Sequence, residues 1–330
     1  MNTVDVILPV KGQCNWIKVA LDSIKNQTRE PDIVTIIDDG ITDAEIIEEY
    51  ASKLFGQRYR ILPNRGQGLS DALNTGVEAS RCDWIARMDA DDVSTPDRLK
   101  KQLAFLSSEG NQALLGCGTQ AELINEEGRT IGYSRNPESW ENILSGFVKR
   151  CCFVHSTLVV KRKYLLEVPY RRVFDGAEDI DLILRLSECG KIVNMSSILL
   201  KYRLHHAQSS FANRPRQVAL QELAVRLHYI RRSGRDDPVD KKPSLVEDFI
   251  AWRLGQKSYN KTRKLLTILR YASTYIRGGD YRSTALLLKR LPESIDLSVN
   301  TFRIVYKVIT GSCTVFAHER TPFPELNITS

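Results

Sequence analysis

The sequence predicts an α/β fold, a mainly parallel sheet with helices on both faces, followed by a helical region. Strand and helix signals alternate through the first two hundred residues, and acidic residues close two of the predicted strands. Beyond about residue 211 the pattern is helical only.

In order along the chain, "VDVILPV" is a short β-branched run that Pro9 should stop. "WIKVALDSIKNQ" sets Ile17, Ala20, Leu21 and Ile24 on one helical face. "DIVTIIDDG" reads as a buried strand ending in Asp38, Asp39 and Gly40, and "DAEIIEEYASKLFG" as the helix after it. "YRILPN" is a third strand, "LSDALNTGVEAS" a further amphipathic helix, and "DWIARMDADD" a fourth strand. This βαβαβ order implies right-handed parallel connections, and ligands of such sheets bind beyond the carboxyl ends of the strands. Those ends carry Pro9, the Asp38-Asp39 pair and the group Asp89, Asp91, Asp92, so the acids should converge.

From about 110 to 205 the pattern is less regular. "ALLGCGTQAELI" and "FVHSTLVVKR" are strand-like, a Gly/Asn/Pro-rich turn lies between them, and "EDIDLILRLSECG" is a helix. Later, "TRKLLTILRYASTYI" places Leu265, Ile268, Leu269, Ala272 and Ile276 on one stripe, and "YRSTALLLKRLPES" repeats the type after Gly278-Gly279.

Composition narrows the class. A chain of 330 residues with 42% hydrophobic content can bury a sizeable core. The net charge of +7 is uneven: residues 1–210 carry 26 Lys and Arg against 29 Asp and Glu, whereas residues 211–330 carry 21 against 11. Seven cysteines without C-x-x-C spacing suggest neither a zinc site nor a disulfide framework, and a reducing cytoplasm is expected. Vicinal Cys151 and Cys152 read as packed small hydrophobes. "MNTVDVILPV" is a strand rather than a signal sequence, and no segment reaches the roughly 20 apolar residues of a membrane span.

Asp89 and Asp91 form a D-x-D. On an extended strand, residues two apart face the same way, so two carboxylates would repel unless a cation lay between them. Oxygen-only ligands favour Mg²⁺ or Mn²⁺, commonly shared with phosphates. The plainer reading is a solvated turn before the helix "TPDRLKKQLAFL", with Ser94 or Thr95 as its cap. Asp39 or Asp38, at the end of the second strand, suits a nucleoside contact. Neither a G-x-G-x-x-G nor a G-x-x-x-x-G-K-[ST] stretch occurs, so a pyrophosphate would need another source of positive charge. Glu178 and Asp179 open a helix, where acids favour the dipole; one of them could equally be a general base.

Six blocks, "VILPVKGQCNWIKVALDSIKNQ", "TIIDDG", "NRGQGLSDALNTGVEAS", "WIARMDADD", "HSTLVVKR" and "AEDIDLILRL" followed by "YRLHHAQSS", resemble the inverting, GT-A type family-2 glycosyltransferases in order and spacing. The resemblance covers about residues 4–210. It implies a GT-A, Rossmann-like mixed sheet as the catalytic domain (1–210), with a nucleotide-binding part to about 100 and an acceptor part from 101. A basic helical region follows from 211 to 330.

By the same resemblance the backbone at Pro9 and Val10 lies against the nucleotide, and Asp38 and Asp39 bind base or ribose, with Asp39 favoured. Arg65 is a further donor contact, Asp89 with Ala90 lies near the ribose, and Asp91 is the metal ligand for Mn²⁺ or Mg²⁺. Asp179 is implied as the catalytic base, with Glu178 on the acceptor side, and His205 is an additional candidate ligand. The implied reaction is transfer from a nucleotide sugar, UDP-linked, to a glycan or lipid-linked acceptor in surface polysaccharide synthesis. Ile41 and Ser156 depart from common family residues, the helix "EDIDLILRL" lacks a usual aromatic, and a Q-x-x-R-W motif is absent, which argues against a processive synthase.

Lys261, Arg263, Lys264, Arg270 and Arg277 surround the apolar stripe of the tail, which could meet an anionic inner leaflet or pack on the catalytic domain. Two other classes stay open at this point. One is a nucleic-acid-binding protein, prompted by the basic residues between Tyr259, Tyr271, Tyr275 and Tyr281 but without any recognised motif; no nucleic acid is expected as a partner. The other is a cation-dependent nucleotidyltransferase.

Overall fold

The computed structural model of the chain describes residues 2–13, 15–147, 151–205 and 214–255, together with residues 268, 272–276, 278–280 and 283–284. Most of both predicted tail helices, including Leu265, Leu269, Lys261, Arg263, Lys264, Arg270 and Arg277, lies outside the described residues.

The strands are β1 (Val4–Gly12), β2 (Ile33–Ile41), β3 (Tyr59–Pro63), β4 (Trp84–Arg87), β5 (Val93–Ser94), β6 (Gly116–Ile124), β7 (Thr130–Tyr133), β8 (Val159–Lys161) and β9 (Ile192–Arg203). They form one sheet in the order β3-β2-β1-β4-β8-β6-β9-β5, with β7 on β6. The first four strands in that order are parallel, as the βαβ reading requires. Antiparallel β8 then joins β4 to β6, and β9 returns parallel to β6, which makes the sheet mixed.

The helices that cover it are α1 (Ile17–Lys25), α2 (Ala44–Phe55), α3 (Gly68–Ala79), α4 (Arg98–Ser107), α5 (Trp140–Phe147), α6 (Arg162–Glu167), α7 (Glu178–Leu186), α8 (Arg214–Arg232), α9 (Pro238–Lys241) and α10 (Leu245–Gly255). Strand alternation divides the core in two. Val4, Val6, Leu8 and Val10 of β1 pack with Ile17, Leu21, Ile47 and Leu103 on one face. Ile7 points to the other, among residues of α3, α7, α8 and α10. Each fully buried side chain of this size contributes about 1.5–3 kcal/mol relative to exposure. Residues 214–255 therefore share a core with the preceding part of the chain: Leu220, Leu223 and Phe249 join the cluster that holds Ile180 and Ile183.

Three local expectations are corrected. β1 does not stop at Pro9 but runs to Gly12, paired with β2 through Val10 and, after a shift of register, at Gly12. Its pairing with β4 ends where Met88 N–H donates to the Ile7 carbonyl, 3.1 Å. Pro9, two residues on, turns its missing N–H to that same unpaired side. β4 is only four residues long and ends at Arg87, so the D-x-D stands on a turn and not on an extended strand. The helix beyond starts at Arg98 after Asp97 and has no side-chain cap, while Ser94 and Thr95 contact Met88 and Leu199 instead.

The described tail residues lie against the sheet. Tyr275 is buried with Ile131 and Leu204 and is not open for stacking on a base. Ile268 and Ala272 of the predicted stripe are buried, but Ile276 is 47% exposed. Among the described residues no helix is long and apolar enough to cross a membrane.

Candidate active site

Where β4 ends, the chain turns back on itself: Asp92 N–H approaches the Asp89 carbonyl at 3.4 Å. One carboxylate oxygen from each of Asp89, Asp91 and Asp92 falls within 4.8 Å of the others. Such a cluster needs compensating charge, and each acid finds a different partner. Asp89 ion-pairs with Arg87 and accepts from Ser156 Oγ at 2.6 Å, while Arg87 Nη1 donates to the same hydroxyl at 2.7 Å. Asp91 Oδ2 lies 2.8 Å from His205 Nε2. Asp92 is fully buried; its Oδ1 accepts from the Arg203 backbone N–H at 2.9 Å, and its Oδ2 has no partner among the described residues. Burial, then the charges of Asp91 and Asp89, push the Asp92 carboxyl well above the usual range.

On an extended strand Asp92 would face away from Asp89 and Asp91. The turn brings it into the cluster instead. The end of β9 supports this arrangement: the Arg203 guanidinium donates to the carbonyls of Asp91, Asn125 and Glu126 and lies over the Trp16 ring, 5.0 Å from its centroid. Three hard carboxylate donors, one with an orphaned buried oxygen, and an adjacent imidazole suit a divalent cation such as Mn²⁺ or Mg²⁺.

A second acidic group opens α7. Gly176, at φ +100°, donates its N–H to Glu178 Oε2 at 2.8 Å. Ile180 N–H donates to Asp179 Oδ1 at 2.8 Å, and Cys151 Sγ donates to Asp179 Oδ2 at 3.2 Å. His155 sits in a 3-10 turn before β8, with Nδ1 at 3.7 Å from Glu178 and Nε2 at 3.0 Å from the Tyr170 hydroxyl. Burial, then the neighbouring Asp179 charge, pushes Glu178 up to about 8. Burial also raises Asp179, opposed by the Cys151 and Ile180 hydrogen bonds and by Arg87. His155 is held far below its ordinary value by burial and by Arg87, so it is a neutral ring. Arg87, only 5% exposed, is thus the positive charge felt by both acidic groups.

At the end of β2 the two acids diverge. Asp38 Oδ1 accepts from the N–H groups of Gly40 and Ile41 at 2.8 and 2.7 Å and closes its own turn. Asp39 accepts from Asn64 Nδ2 at 2.6 Å and faces Lys11 Nζ at 3.6 Å. The start of α3, just after the "NRGQG" loop, is tied to the approach to α7, because Asp175 accepts from Ser70 N–H at 3.0 Å. A Cβ on Gly68, which has φ +83°, would lie 2.1 Å from the Asp175 carboxylate.

A sequence profile described as "Glycosyl transferase family 2" matches residues 5–159. The O-antigen biosynthesis glycosyltransferase WbnJ of Escherichia coli is 34% identical over 221 residues, spanning 62% of this chain and 81% of that one. The chain belongs to glycosyl transferase family 2. An uncharacterized glycosyltransferase of Haemophilus influenzae extends the likeness over 95% of this chain and 98% of its own, at 28% identity. The crystal structure of S. aureus TarS 1-349 in complex with UDP aligns with TM-score 0.54 and 15% identity, covering 95% of this chain and 90% of that one, and it bears on the fold alone. The protein is a glycosyltransferase with a GT-A-like fold.

In this family-2 glycosyltransferase, Asp89, Ala90, Asp91 and His205 gather at one turn, with Asp92 added to them. Glu178 and Asp179 gather at the start of α7. Pro9 is half-exposed, Val10 turns its side chain into the core, and Asp39 faces Lys11 and Asn64. Arg65 is not brought to the acids: its side chain is 68% exposed and pairs with Glu78 at 3.3 Å. His206 lies outside the described residues. Sequence reasoning passed over Arg87, Asn64, Cys151 and Arg203. A readable signal existed for Arg87, since an arginine closing a buried run "WIAR" must find a charged partner.

Proposed function

We propose that the enzyme transfers a sugar from a nucleotide sugar, UDP-linked, to a hydroxyl of a glycan or lipid-linked saccharide, with inversion, during assembly of a cell-surface polysaccharide. The observation that carries this reading is the pairing of the aspartate turn with the Glu178-Asp179 pair through Arg87, Ser156 and His155. The printed descriptions of WbnJ, an O-antigen enzyme, and of TarS bound to UDP support its direction.

Each residue has a task. Asp39 and Asn64, beside Pro9, receive the nucleoside, and Asp89 with Ala90 lies toward the ribose. Asp91, Asp92 and His205 would hold Mn²⁺ or Mg²⁺, which when bound offsets the negative charge that grows on the leaving diphosphate. Asp179, less buried than Glu178, accepts the proton of the attacking hydroxyl. Glu178, its carboxyl neutral below about pH 8, leaves Asp179 as the charged member of the pair. Inversion follows from a single displacement.

The same proposal divides the chain at about residue 210 into catalytic and basic helical regions. It places the enzyme in the cytoplasm, with the excess positive charge of residues 211–330 toward an anionic membrane surface. The test is a thermal-shift screen of nucleotide sugars with and without Mn²⁺, followed by product analysis. Release of nucleoside diphosphate, lost in Asp91→Ala and Asp179→Asn, is expected. Release of pyrophosphate instead would identify a nucleotidyltransferase and overturn the reading.

A further inference from the structure

The two oxygens of Asp179 are held by unlike partners. Oδ1 accepts from the backbone of its own helix, whereas Oδ2 accepts from Cys151, 28 residues earlier in the chain. The same sulfur lies 3.3 Å from the Phe153 carbonyl, a second acceptor. A thiol carries one proton, so it can serve only one of them at a time. Burial and the nearby Asp179 charge push Cys151 well above the ordinary thiol range, and it remains S–H at working pH.

We propose that Cys151 is a positioning residue for the base, its S–H donating to Asp179 while that carboxylate is ionised and turning to the Phe153 carbonyl once Asp179 is protonated. This rests on the reading of Asp179 as the base. In the transfer step the acceptor O–H bond breaks and its proton forms an O–H bond on Asp179 Oδ2. The freed oxygen pair forms the new glycosidic bond, and the pair of the broken sugar–phosphate bond leaves with the diphosphate. The S–H then rotates about Cβ–Sγ, so that sulfur accepts from the new carboxylic O–H while its own S–H donates to the Phe153 carbonyl. No electrons are exchanged, and the thiol keeps its proton throughout. A weak S–H donor fits this position: it steadies the anion in a buried setting without holding it as firmly as a hydroxyl would.

The titratable and charged groups facing Asp179 are Glu178 on its own helix, Arg87 from the end of β4, Cys151 before β8, and Tyr170. All but Cys151 stay unchanged in the variants that test the thiol. The test compares pH profiles of kcat/KM at saturating Mn²⁺ for the wild type, Cys151→Ala, Cys151→Ser and Asp179→Asn. Loss of the donor should move the acid limb of Cys151→Ala upward by at least about half a pH unit, lower kcat more than it changes KM, and leave serine at or below the wild-type position.

An unmoved limb in folded Cys151→Ala overturns the inference and leaves the base assignment standing. Transfer by Asp179→Asn instead removes the base assignment, and the inference with it. The infrared S–H stretch, assigned by its loss in Cys151→Ser, provides a reading that does not require the alanine variant to fold. It should rise in frequency in Asp179→Asn, and an unmoved band overturns the inference.

Discussion

His205 Nε2 lies 2.8 Å from Asp91 Oδ2, so the chain just beyond β9 meets a turn 114 residues earlier. If His205 and the aspartates share a cation, His205→Ala should raise the Mn²⁺ concentration for half-maximal activity by about 10-fold or more. Asp92→Asn, altering the orphaned buried oxygen, should act in the same direction. Metal titrations of activity decide it, and coincident curves for His205→Ala and wild type would remove the histidine from the site.

Glu178 links stability to pH. Its carboxyl is raised in the folded state from about 4.5 to about 8, so the neutral form is the one that folding favours. Its contribution is full below about pH 4.5 and is lost as pH rises through 8. Glu178→Gln keeps a neutral side chain that can still accept from Gly176 N–H. Its Tm should match wild type at pH 5 and exceed it at pH 9, whereas parallel Tm curves across that range would contradict the assignment.

Arg87 supplies the countercharge on which both acidic groups depend. Arg87→Met removes the Asp89 ion pair and the Ser156 hydrogen bond and leaves Asp89 and the α7 acids without it. A loss of about 3–5 kcal/mol in urea unfolding is expected, with part regained in Arg87→Lys. A change below about 1 kcal/mol would show that other groups carry the compensation.

The C-terminal helices are clamped to α7 through buried charge. Arg171 pairs with Asp181 of α7 at 2.5 Å and with Asp237 at 3.0 Å, and Arg231 of α8 reaches the same Asp237 at 2.7 Å. Asp237→Ala removes one carboxylate shared by two largely buried guanidinium groups. It should cost about 3 kcal/mol and lower kcat through α7, as chemical denaturation and steady-state assays would show. Unchanged stability would mean that Asp240 and Glu188 compensate.

Much of the first half of the fold was legible because its signals are local. The β-branched run of β1, the apolar face of α1 and the acids and glycine near the end of β2 lie within a few residues of the structures they produce. The acidic residues of the site were legible as a set, but their support was not. A strand-end reading paired Asp89 with Asp91 by alternation, whereas the actual turn adds Asp92, held by an N–H from Arg203 on a distant strand. No local pattern announces a partner 111 residues away. Cys151 was missed for a different reason: a thiol next to another thiol looks like core filler until its neighbour Asp179 is known. Arg65 shows the reverse case, a residue placed by motif whose side chain the fold gives to Glu78.

The unequal lengths of β1 and β4 leave a break in the ladder next to the aspartate turn. With β4 ending level with Ile7 while β1 continues to Gly12, the sheet remains unzipped beside Pro9. Two further residues of β4 in register would carry the ladder across that gap and seal it.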